Sequence, residues 1–411
     1  MHQKISLIVQ PGDSFFPIVR AIDRAEKSIN LTVFRMDDPI VQRALLEARK
    51  RGVRIRVLIS SSARGWEEKN RKLLKDAKKA GIATKEPAGD SKSARYHYKA
   101  LTIDDEQALI FTFNPTRENL HYTRDFGIEV YNPAVALEVA RLFDADWDDM
   151  PFTPDNESPL LVSPYNSRAK MEALLASAKE SIHIADAKVE DPAVLKLLAK
   201  KAKAGVEVRI LGDEKHSPKM PDGLEFRAVP RYKLHAKLTI VDGKTAVIGS
   251  MNLRTESFDR RRELCITVDD PDILKKLEAV FKSDWDRKAK PSGSAATVII
   301  KAPDIHKPET ADLPSKGFVL ISRTDALERH AIKEGVTSIG RSAENDIVID
   351  DAQASRHHAR ITLDGGKCTI TDLGSGNGTF LNGERMEGTR ALAVGDVLSI
   401  AGSEEFRLLE L

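Results

Sequence analysis

Two stretches of the chain carry the same reactive side chains in the same order. "YHYKALTIDDEQALIFTFN" spans Tyr96 to Asn114, and "YKLHAKLTIVDGKTAVIGSMN" spans Tyr232 to Asn252. Each offers a His, a Lys two residues on, an Asp five further and an Asn ten beyond that: His97, Lys99, Asp104 and Asn114, then His235, Lys237, Asp242 and Asn252. Imidazole titrates near neutrality, so one ring can be neutral while another is charged at the same pH. Two such rings around one phosphorus permit a double displacement. A neutral His attacks phosphorus, a protonated His donates to the leaving oxygen, and water activated by the second His cleaves the phosphohistidine. The Lys and Asn side chains then hold the nonbridging oxygens. Asp125 and Glu263 occupy equivalent positions in "RDFGIEV" and "RELCITV" and are suited to orient each ring through its second nitrogen.

These groups need strands and turns to converge. Alternate residues of a strand face the same way, so His235 and Lys237 in "HAKLTIVD" are expected on one face. Asp242-Gly243 is a hairpin signal that folds "TAVIGSMN" back and brings Ser250 and Asn252 to the same end. The surroundings repeat too. "AEKSINLTVFRMDDPIVQRALLEARKRGVRIRVLI" from Ala25 aligns with the segment from Ala178 at an offset of 153, and the offset falls to 138 from His97 onward. The first copy therefore holds fifteen extra residues, placed most simply around "RGWEEKNRKLLKDAK". Strand, Asp-Pro break, amphipathic helix, Gly and strand recur in both copies. That rhythm predicts two pseudo-symmetric α/β lobes over residues 1–155 and 156–290.

Composition sets wide bounds. The 411 residues are 41% hydrophobic and 31% charged with a formal net charge of +2, which fits a globular protein and offers no global attraction to nucleic acid or anionic membrane. No apolar run reaches the length of a membrane helix, and "MHQKISLIVQPGDSFF" is too short in apolar residues for a secretory signal. The two cysteines, Cys265 and Cys368, lack metal-type spacing, which points to reduced thiols and a cytoplasmic location. The sequence calls for no cofactor and no metal.

The duplicated pattern resembles the phospholipase D superfamily, whose signature is HxKx4D followed by a GSxN-like element. The second copy carries all of it in His235, Lys237, Asp242, Gly249, Ser250 and Asn252, whereas Phe111-Thr112 replaces Gly-Ser in the first. The resemblance covers residues 1–290 and implies that both lobes build one site. It implies His97 as nucleophile and His235 as acid, and allows Asp104 and Asp242 a structural part in their loops. Phospholipid head-group hydrolysis is the leading activity it implies. A metal-independent nuclease acting on DNA or RNA, and a phosphopeptide-binding scaffold with an inactive pair, stand as alternatives.

The remainder of the chain reads differently. Residues 291–315 are rich in Pro, Ser, Ala and Lys and read as a linker in which "ATVIIK" is a possible short strand. Short alternating runs with Gly and Asp turns follow and predict an antiparallel β sandwich over 316–411. The loops "GRSAENDIVI", "ASRHHARI" and "LGSGNGTFLNG" can present backbone amides beside Arg341 and the Ser355 hydroxyl. Together they resemble a forkhead-associated (FHA) domain, which implies that Arg341 and Ser355, with Arg356 beside them, meet the phosphate of a threonine-phosphorylated protein. Asn377 would clamp its backbone, and His358 would brace the loops. Thr310 in "KPETADLP" is a candidate self-ligand for that site.

Overall fold

The structure is a computed structural model, which describes residues 4–59, 63, 65–86, 96–213, 220–229, 233–286, 317–322, 329–349, 351–402 and 404–410. The linker, its possible strand and Thr310 lie outside those residues. The chain divides into two compact units, Met1–Pro291 and Ser292–Leu411.

The first lobe of unit one runs β1 (Lys4–Gln10), α1 (Phe16–Arg24), β2 (Ser28–Val33), α2 (Pro39–Lys50), β3 (Arg54–Ile59), α3 (Glu67–Lys79), β4 (Ala83–Lys85), β5 (Ala100–Ile103), β6 (Gln107–Phe111), α4 (Arg117–Tyr122), β7 (Thr123–Tyr131) and α5 (Pro133–Trp147). The second runs β8 (Leu160–Val162), α6 (Ser167–Ser177), β9 (Ser181–Asp186), α7 (Pro192–Lys203), β10 (Glu207–Gly212), β11 (Glu225–Ala228), β12 (Lys233–Leu234), β13 (Lys237–Val241), β14 (Thr245–Gly249), α8 (Thr255–Asp259), β15 (Leu264–Val268) and α9 (Pro271–Asp286). Strand order is β1-β7-β6-β5-β2-β3-β4 in one sheet and β8-β15-β14-β13-β9-β10-β11 in the other. The orders match strand for strand, so the duplication seen in the sequence is a duplication of topology. Helix α3 falls within the predicted insertion, and the described residues between β10 and β11 hold no helix.

Local chemistry explains the elements. The Asp-Pro pair that reads as a break is a helix start: Asp38 caps α2 through Ile40 N and Val41 N at 3.0 Å each, and Asp191 caps α7 through Ala193 N and Val194 N at 3.0 and 3.1 Å. Pro39 and Pro192 sit in the first helical turn, where their missing N–H costs nothing. In α2 the buried Val41, Ala44, Leu45 and Ala48 line one face at helical spacing.

The inner faces of the two sheets share one core. Ile110, Ile128 and Val130 of the first lobe pack in one cluster with Leu238, Ile248, Leu264 and Ile266 of the second, and α5 and α9 add Val139, Leu142, Leu277 and Phe281 to it. Two buried ion pairs cross this interface. Arg124 donates from Nε and Nη2 to Asp284 at 2.6 and 3.1 Å, and Arg262 donates from Nε to Asp146 at 3.0 Å. Arg124 and Arg262 are equivalent residues, as are Asp146 and Asp284, so each lobe gives one cation and one anion to the other.

Unit two is a β sandwich. One sheet is ordered β17-β16-β26-β25-β22-β23, from β16 (Phe318–Ser322), β17 (Arg329–Ile332), β22 (Thr379–Leu381), β23 (Glu384–Arg385), β25 (Val397–Ile400) and β26 (Glu404–Glu410). The other is β19-β18-β20-β21-β24, from β18 (Gly335–Gly340), β19 (Ile347–Val348), β20 (Ala359–Asp364), β21 (Lys367–Asp372) and β24 (Thr389–Ala391). Their inner faces meet in a cluster that includes Leu320, Ile339, Ile361, Ile370, Leu398 and Phe406.

Removing one member of a buried pair leaves an uncompensated charge, so Arg124→Ala should cost unit one about 3–5 kcal/mol. Urea unfolding of Arg124→Ala, Asp284→Ala and the double Arg124→Met/Asp284→Leu variant checks this. The double variant should recover most of the loss.

Candidate active site and phosphate-facing loops

Each reactive His stands where the chain crosses from one lobe to the other. Strand β12 pairs in parallel with β7 of the opposite lobe, Lys233 against Thr123 and Leu234 against Arg124. The next two amides, of His235 and Ala236, donate to the Arg124 carbonyl at 3.1 and 2.9 Å. In the mirror arrangement Tyr96 bridges to Arg262, and the amides of His97 and Tyr98 donate to the Arg262 carbonyl at 2.9 and 3.1 Å. The expectation that His235 and Lys237 share one strand is corrected here. β13 begins at Lys237 and β5 at Ala100, and each His lies before its strand because its backbone is bonded to the other lobe.

This crossing brings each imidazole to a carboxylate of the other lobe. His97 Nδ1 lies 3.0 Å from both Glu263 oxygens, and His235 Nδ1 lies 2.9 Å from Asp125 Oδ1. Both carboxylates are buried and held below their ordinary range. Burial acts on them in the opposite sense and is outweighed by the nearby imidazoles and lysines. As ionised acceptors they draw the Nδ1 proton, so each Nε2 presents a lone pair. Burial pushes His97 down to about 3, against the pull of Glu263, and pushes His235 down as well. Burial thus favours the neutral form of both rings. A negative charge placed between the rings would favour their protonated forms.

The two lysines are buried beneath the rings, Lys99 at 0% and Lys237 at 5% exposure, and each ammonium donates to the carbonyl of the His two residues before it. Lys237 also reaches the Thr112 carbonyl of the first lobe at 3.5 Å. Desolvation lowers both, Lys99 to about 7, and the charges of Lys237 and Glu263 act on Lys99 as well. His97, Lys99, Asp125, His235, Lys237 and Glu263 thus form one electrostatically connected cluster.

The remaining candidates support it. Ser250 Oγ accepts from Leu264 N at 3.0 Å, donates to the Leu264 carbonyl at 3.4 Å and helps to hold Glu263 below its ordinary range. Thr112 does the same in the first lobe: its Oγ1 accepts from Phe126 N at 2.9 Å and donates to Asp125 at 2.5 Å. The departure from Gly-Ser therefore keeps the hydroxyl. It also moves the glycine. Gly249 pairs with Cys265, and a Cβ on it would lie 2.5 Å from the Cys265 Cα; the equivalent pair is Phe111 with Gly127, where the small residue stands on the neighbouring strand. One member of each pair must be glycine for the strands to close.

Asn114 Oδ1 accepts from Phe34 N and Arg35 N at 3.1 and 3.0 Å, and Asn252 Nδ2 donates to Asp186 Oδ1 at 2.5 Å. Asn114 thus ties in the loop after β2, and Asn252 the last residue of β9. Asp104 and Asp242 do not join the cluster. They stand at the far ends of β5 and β13, about 16 Å along the strand from the lysines. There Asp104 accepts from the amides of Glu26, Lys27 and Ser28 at 2.6–2.8 Å, and Asp242 from those of Lys179, Glu180 and Ser181 at 2.7–3.1 Å. Their catalytic assignment is corrected to a structural one, because each carboxylate is committed to backbone amides. Both sit at positive φ in the hairpin turn. Phe34, whose ring lies edge-on to His97 at 5.4 Å, and the buried Asp186 were not singled out from sequence. Neither has an equivalent in the other copy that would have marked it.

In unit two, three loops meet. Arg341 N donates to Ser355 O at 2.9 Å, and Arg341 Nε to Ala354 O at 3.2 Å. Ser355 Oγ accepts from Gly376 N at 3.2 Å, and Asn377 Nδ2 donates to Gln353 O at 2.9 Å. His358 is fully buried: Nδ1 accepts from Ser355 N at 3.1 Å and Nε2 donates to Gly378 O at 3.1 Å, which braces two loops with one ring. The Arg356 side chain is exposed, and its carbonyl accepts from Ser342 N and from Asn345 Nδ2, a buried brace that sequence reading missed. A Cβ at Gly340 would sit 2.4 Å from that carbonyl, so only glycine lets the first loop approach the second.

Because burial lowers Lys99 to about 7, anion binding should weaken as pH rises through that value. The bound anion favours the ammonium, so binding takes up a proton above pH 7. Affinity for dimethyl phosphate, which does not titrate in this range, should fall by up to about tenfold per pH unit above 7. Calorimetric titration from pH 6 to 9 checks this. Lys99→Arg, whose charge persists, should flatten the profile.

Comparison with known proteins agrees with this geometry. The family profile described as cardiolipin synthase, PLD-like domain, matches residues 18–147 and 171–285, and the FHA domain profile matches 337–401. The glycogen accumulation regulator GarA of Mycolicibacterium smegmatis is 38% identical over 101 residues, which are 24% of this chain and 61% of that protein. The probable cardiolipin synthase YwiE of Bacillus subtilis is 23% identical over 339 residues, with 69% of this chain and 66% of that protein covered. The chain thus spans somewhat under two thirds of the length of either. The crystal structure of polyphosphate kinase from Porphyromonas gingivalis superposes with a TM-score of 0.57 at 21% identity, covering 68% of this chain and 46% of that one, and shares the fold. Two repeated lobes with reciprocal His–carboxylate pairs, matched by the profile along both, make this chain a member of the phospholipase D-like family, with an FHA domain following its two lobes.

Proposed function

We propose that unit one cleaves a phosphodiester through a phosphohistidine intermediate, with phospholipid as substrate and head-group hydrolysis as the reaction. The observation that carries this reading is the pair of crossed contacts, His97 with Glu263 and His235 with Asp125. In the proposed sequence the His97 Nε2 lone pair attacks phosphorus and His235, protonated in the complex, gives its proton to the departing alkoxide. Water then loses a proton to His235 and displaces the His97 nitrogen. Lys99 and Lys237 offset the charge that builds on the nonbridging oxygens. Phospholipid is favoured over nucleic acid by the family description and by YwiE's name. The same relatives make transfer of the phosphatidyl group to a second alcohol, in place of water, the alternative fate of the intermediate.

Unit two, in this reading, binds a phosphothreonine peptide and brings the enzyme to a phosphorylated protein. Arg341 and Ser355 would hold the phosphate, with Arg356 at its edge and Asn377 on the peptide backbone. Residues 291–315 would serve as the tether between the lobes and the reader at 316–411.

Labelled phosphatidylcholine or phosphatidylglycerol vesicles and labelled single-stranded DNA, each with EDTA present, separate the possibilities. Lipid turnover that falls at least about a hundredfold in both His97→Ala and His235→Ala is expected. DNA cleavage without lipid turnover would move the substrate to nucleic acid. No turnover of any diester would leave a phosphopeptide-binding scaffold. The phosphorylated intermediate should accumulate on His97 in the His235→Ala variant.

For unit two, Arg341→Ala and Ser355→Ala should each weaken a phosphothreonine peptide by at least about tenfold, measured by fluorescence polarisation. The unphosphorylated peptide should not bind the unaltered protein.

A further inference from the structure

The two imidazoles do not have equal surroundings. The residue after β2 is Phe34, whose ring lies 5.4 Å from that of His97 at an interplanar angle of 63° and 6.0 Å from the Lys99 ammonium. The repeat offset of 153 puts Ala187 at the same place after β9. A methyl group cannot cover a neighbouring ring as a phenyl does. The side chain of His97 is 14% exposed and that of His235 28%. The charged groups that act on His97 are Glu263 and Arg261 of the second lobe and Lys99 of its own, with Arg261 standing where the first lobe has Thr123.

Phe34 is held through both of its peptide groups. Its N–H donates to Asn114 Oδ1 at 3.1 Å, and its carbonyl accepts from Asn70 Nδ2 at 3.0 Å. Asn70 is fully buried and belongs to α3, a helix with no counterpart among the described residues between β10 and β11. Lys69 of α3 also pairs with Asp37 at 3.0 Å. The Arg35 guanidinium stands 5.6 Å from the Phe34 ring and 5.5 Å from that of Trp66, the residue before α3. The inserted helix is thus fastened to the loop that sets an aromatic ring against a reactive imidazole.

An apolar ring beside an imidazole acts in two ways. It removes water that would stabilise the imidazolium, which favours the neutral form. It also limits how the imidazole can turn, because aromatic pairs prefer defined tilts. We propose that Phe34, held in place by Asn70, is a positioning residue that makes the two imidazoles unequal: it keeps His97 neutral and oriented for attack, while His235, with Ala187 at the equivalent place, stays more open to solvent for proton exchange. The part of α3 is then to fix that loop. This rests on the reading of His97 as the nucleophile.

Nitrogen-15 NMR of the full chain with labelled histidine tests it, from pH 8 down to the acid limit of the folded state, with His97→Gln and His235→Gln assigning the two rings. In the unaltered chain His97 should still be neutral where His235 has taken up its proton. Phe34→Ala should bring protonation of His97 up by about one pH unit or more, and Phe34→Leu, which keeps apolar cover, should bring it up less. Stopped-flow measurement with bis(p-nitrophenyl) phosphate, whose leaving group needs little protonation, reads the attack step. Its first-turnover rate should fall about tenfold in Phe34→Ala, with KM changed less than about twofold. Asn70→Ala should move both readouts in the same directions by smaller amounts, and thermal unfolding of each variant confirms that it is folded. A His97 titration that ignores Phe34→Ala would overturn the inference even if turnover slowed, since Phe34 would then act on the substrate or on packing alone. A moved titration with an unchanged attack rate would overturn it as well. A moved titration in a chain that cleaves no diester would sink the phosphodiesterase reading and leave the hold of Phe34 on the imidazole standing.

Discussion

Each imidazole depends on a carboxylate that its own lobe does not supply. Glu263 of the second lobe orients His97 of the first, and Asp125 of the first orients His235 of the second. The backbone repeats the exchange, since the amides of His97 and Tyr98 bond to one Arg carbonyl across the interface and those of His235 and Ala236 to the other. The same dipeptides, Arg124-Asp125 and Arg262-Glu263, do two tasks. Alternation along a strand sends the Arg toward a buried Asp of the opposite lobe and the acid toward an imidazole. A lobe standing alone would expose an apolar face and leave these charges without their partners. The site and the stability of the interface are therefore one structural feature.

Burial gives the cluster its reactivity. Two lysines at the bottom of the site lose hydration, and the rings above them are pushed to the neutral form. Burial thus favours the forms with fewer protons, and an entering anion would favour the protonated ones. In the proposed reaction the neutral Nε2 of one ring and the acidic proton of the other would come from the same electrostatic setting at two stages of occupancy.

Departures from twofold symmetry follow a pattern of compensation. Phe111 with Gly127 and Gly249 with Cys265 place the obligatory small residue on opposite strands of the same pairing. Thr112 keeps the hydroxyl that Ser250 provides. Arg261 against Thr123 has no such counterweight, and neither has α3, whose Asn70 bonds the Phe34 carbonyl at 3.0 Å and so docks on the loop beside His97.

Much was legible from the residues alone. The repeat at offsets of 153 and 138 implied two lobes of equal topology, and the strand orders agree. Local signals such as Asp38-Pro39 and Asp242-Gly243 depend on neighbours in the chain and were readable as a break and a turn. The reactive types were also plain: the two His-x-Lys units, the acids at 125 and 263, and in the second unit Arg341, Ser355 and Asn377. What the sequence could not state was partnership. A carboxylate aligned with a histidine in its own repeat was bonded to the histidine of the other, and Asp104 and Asp242, the last residues of each HxKx4D motif, were committed to backbone amides at the far end of the strand. Partnership depends on which surfaces two folded lobes bring together. Residue types and local turns come from chain neighbours, whereas charge balance, burial and the crossing of the strands exist only once the two sheets share a core.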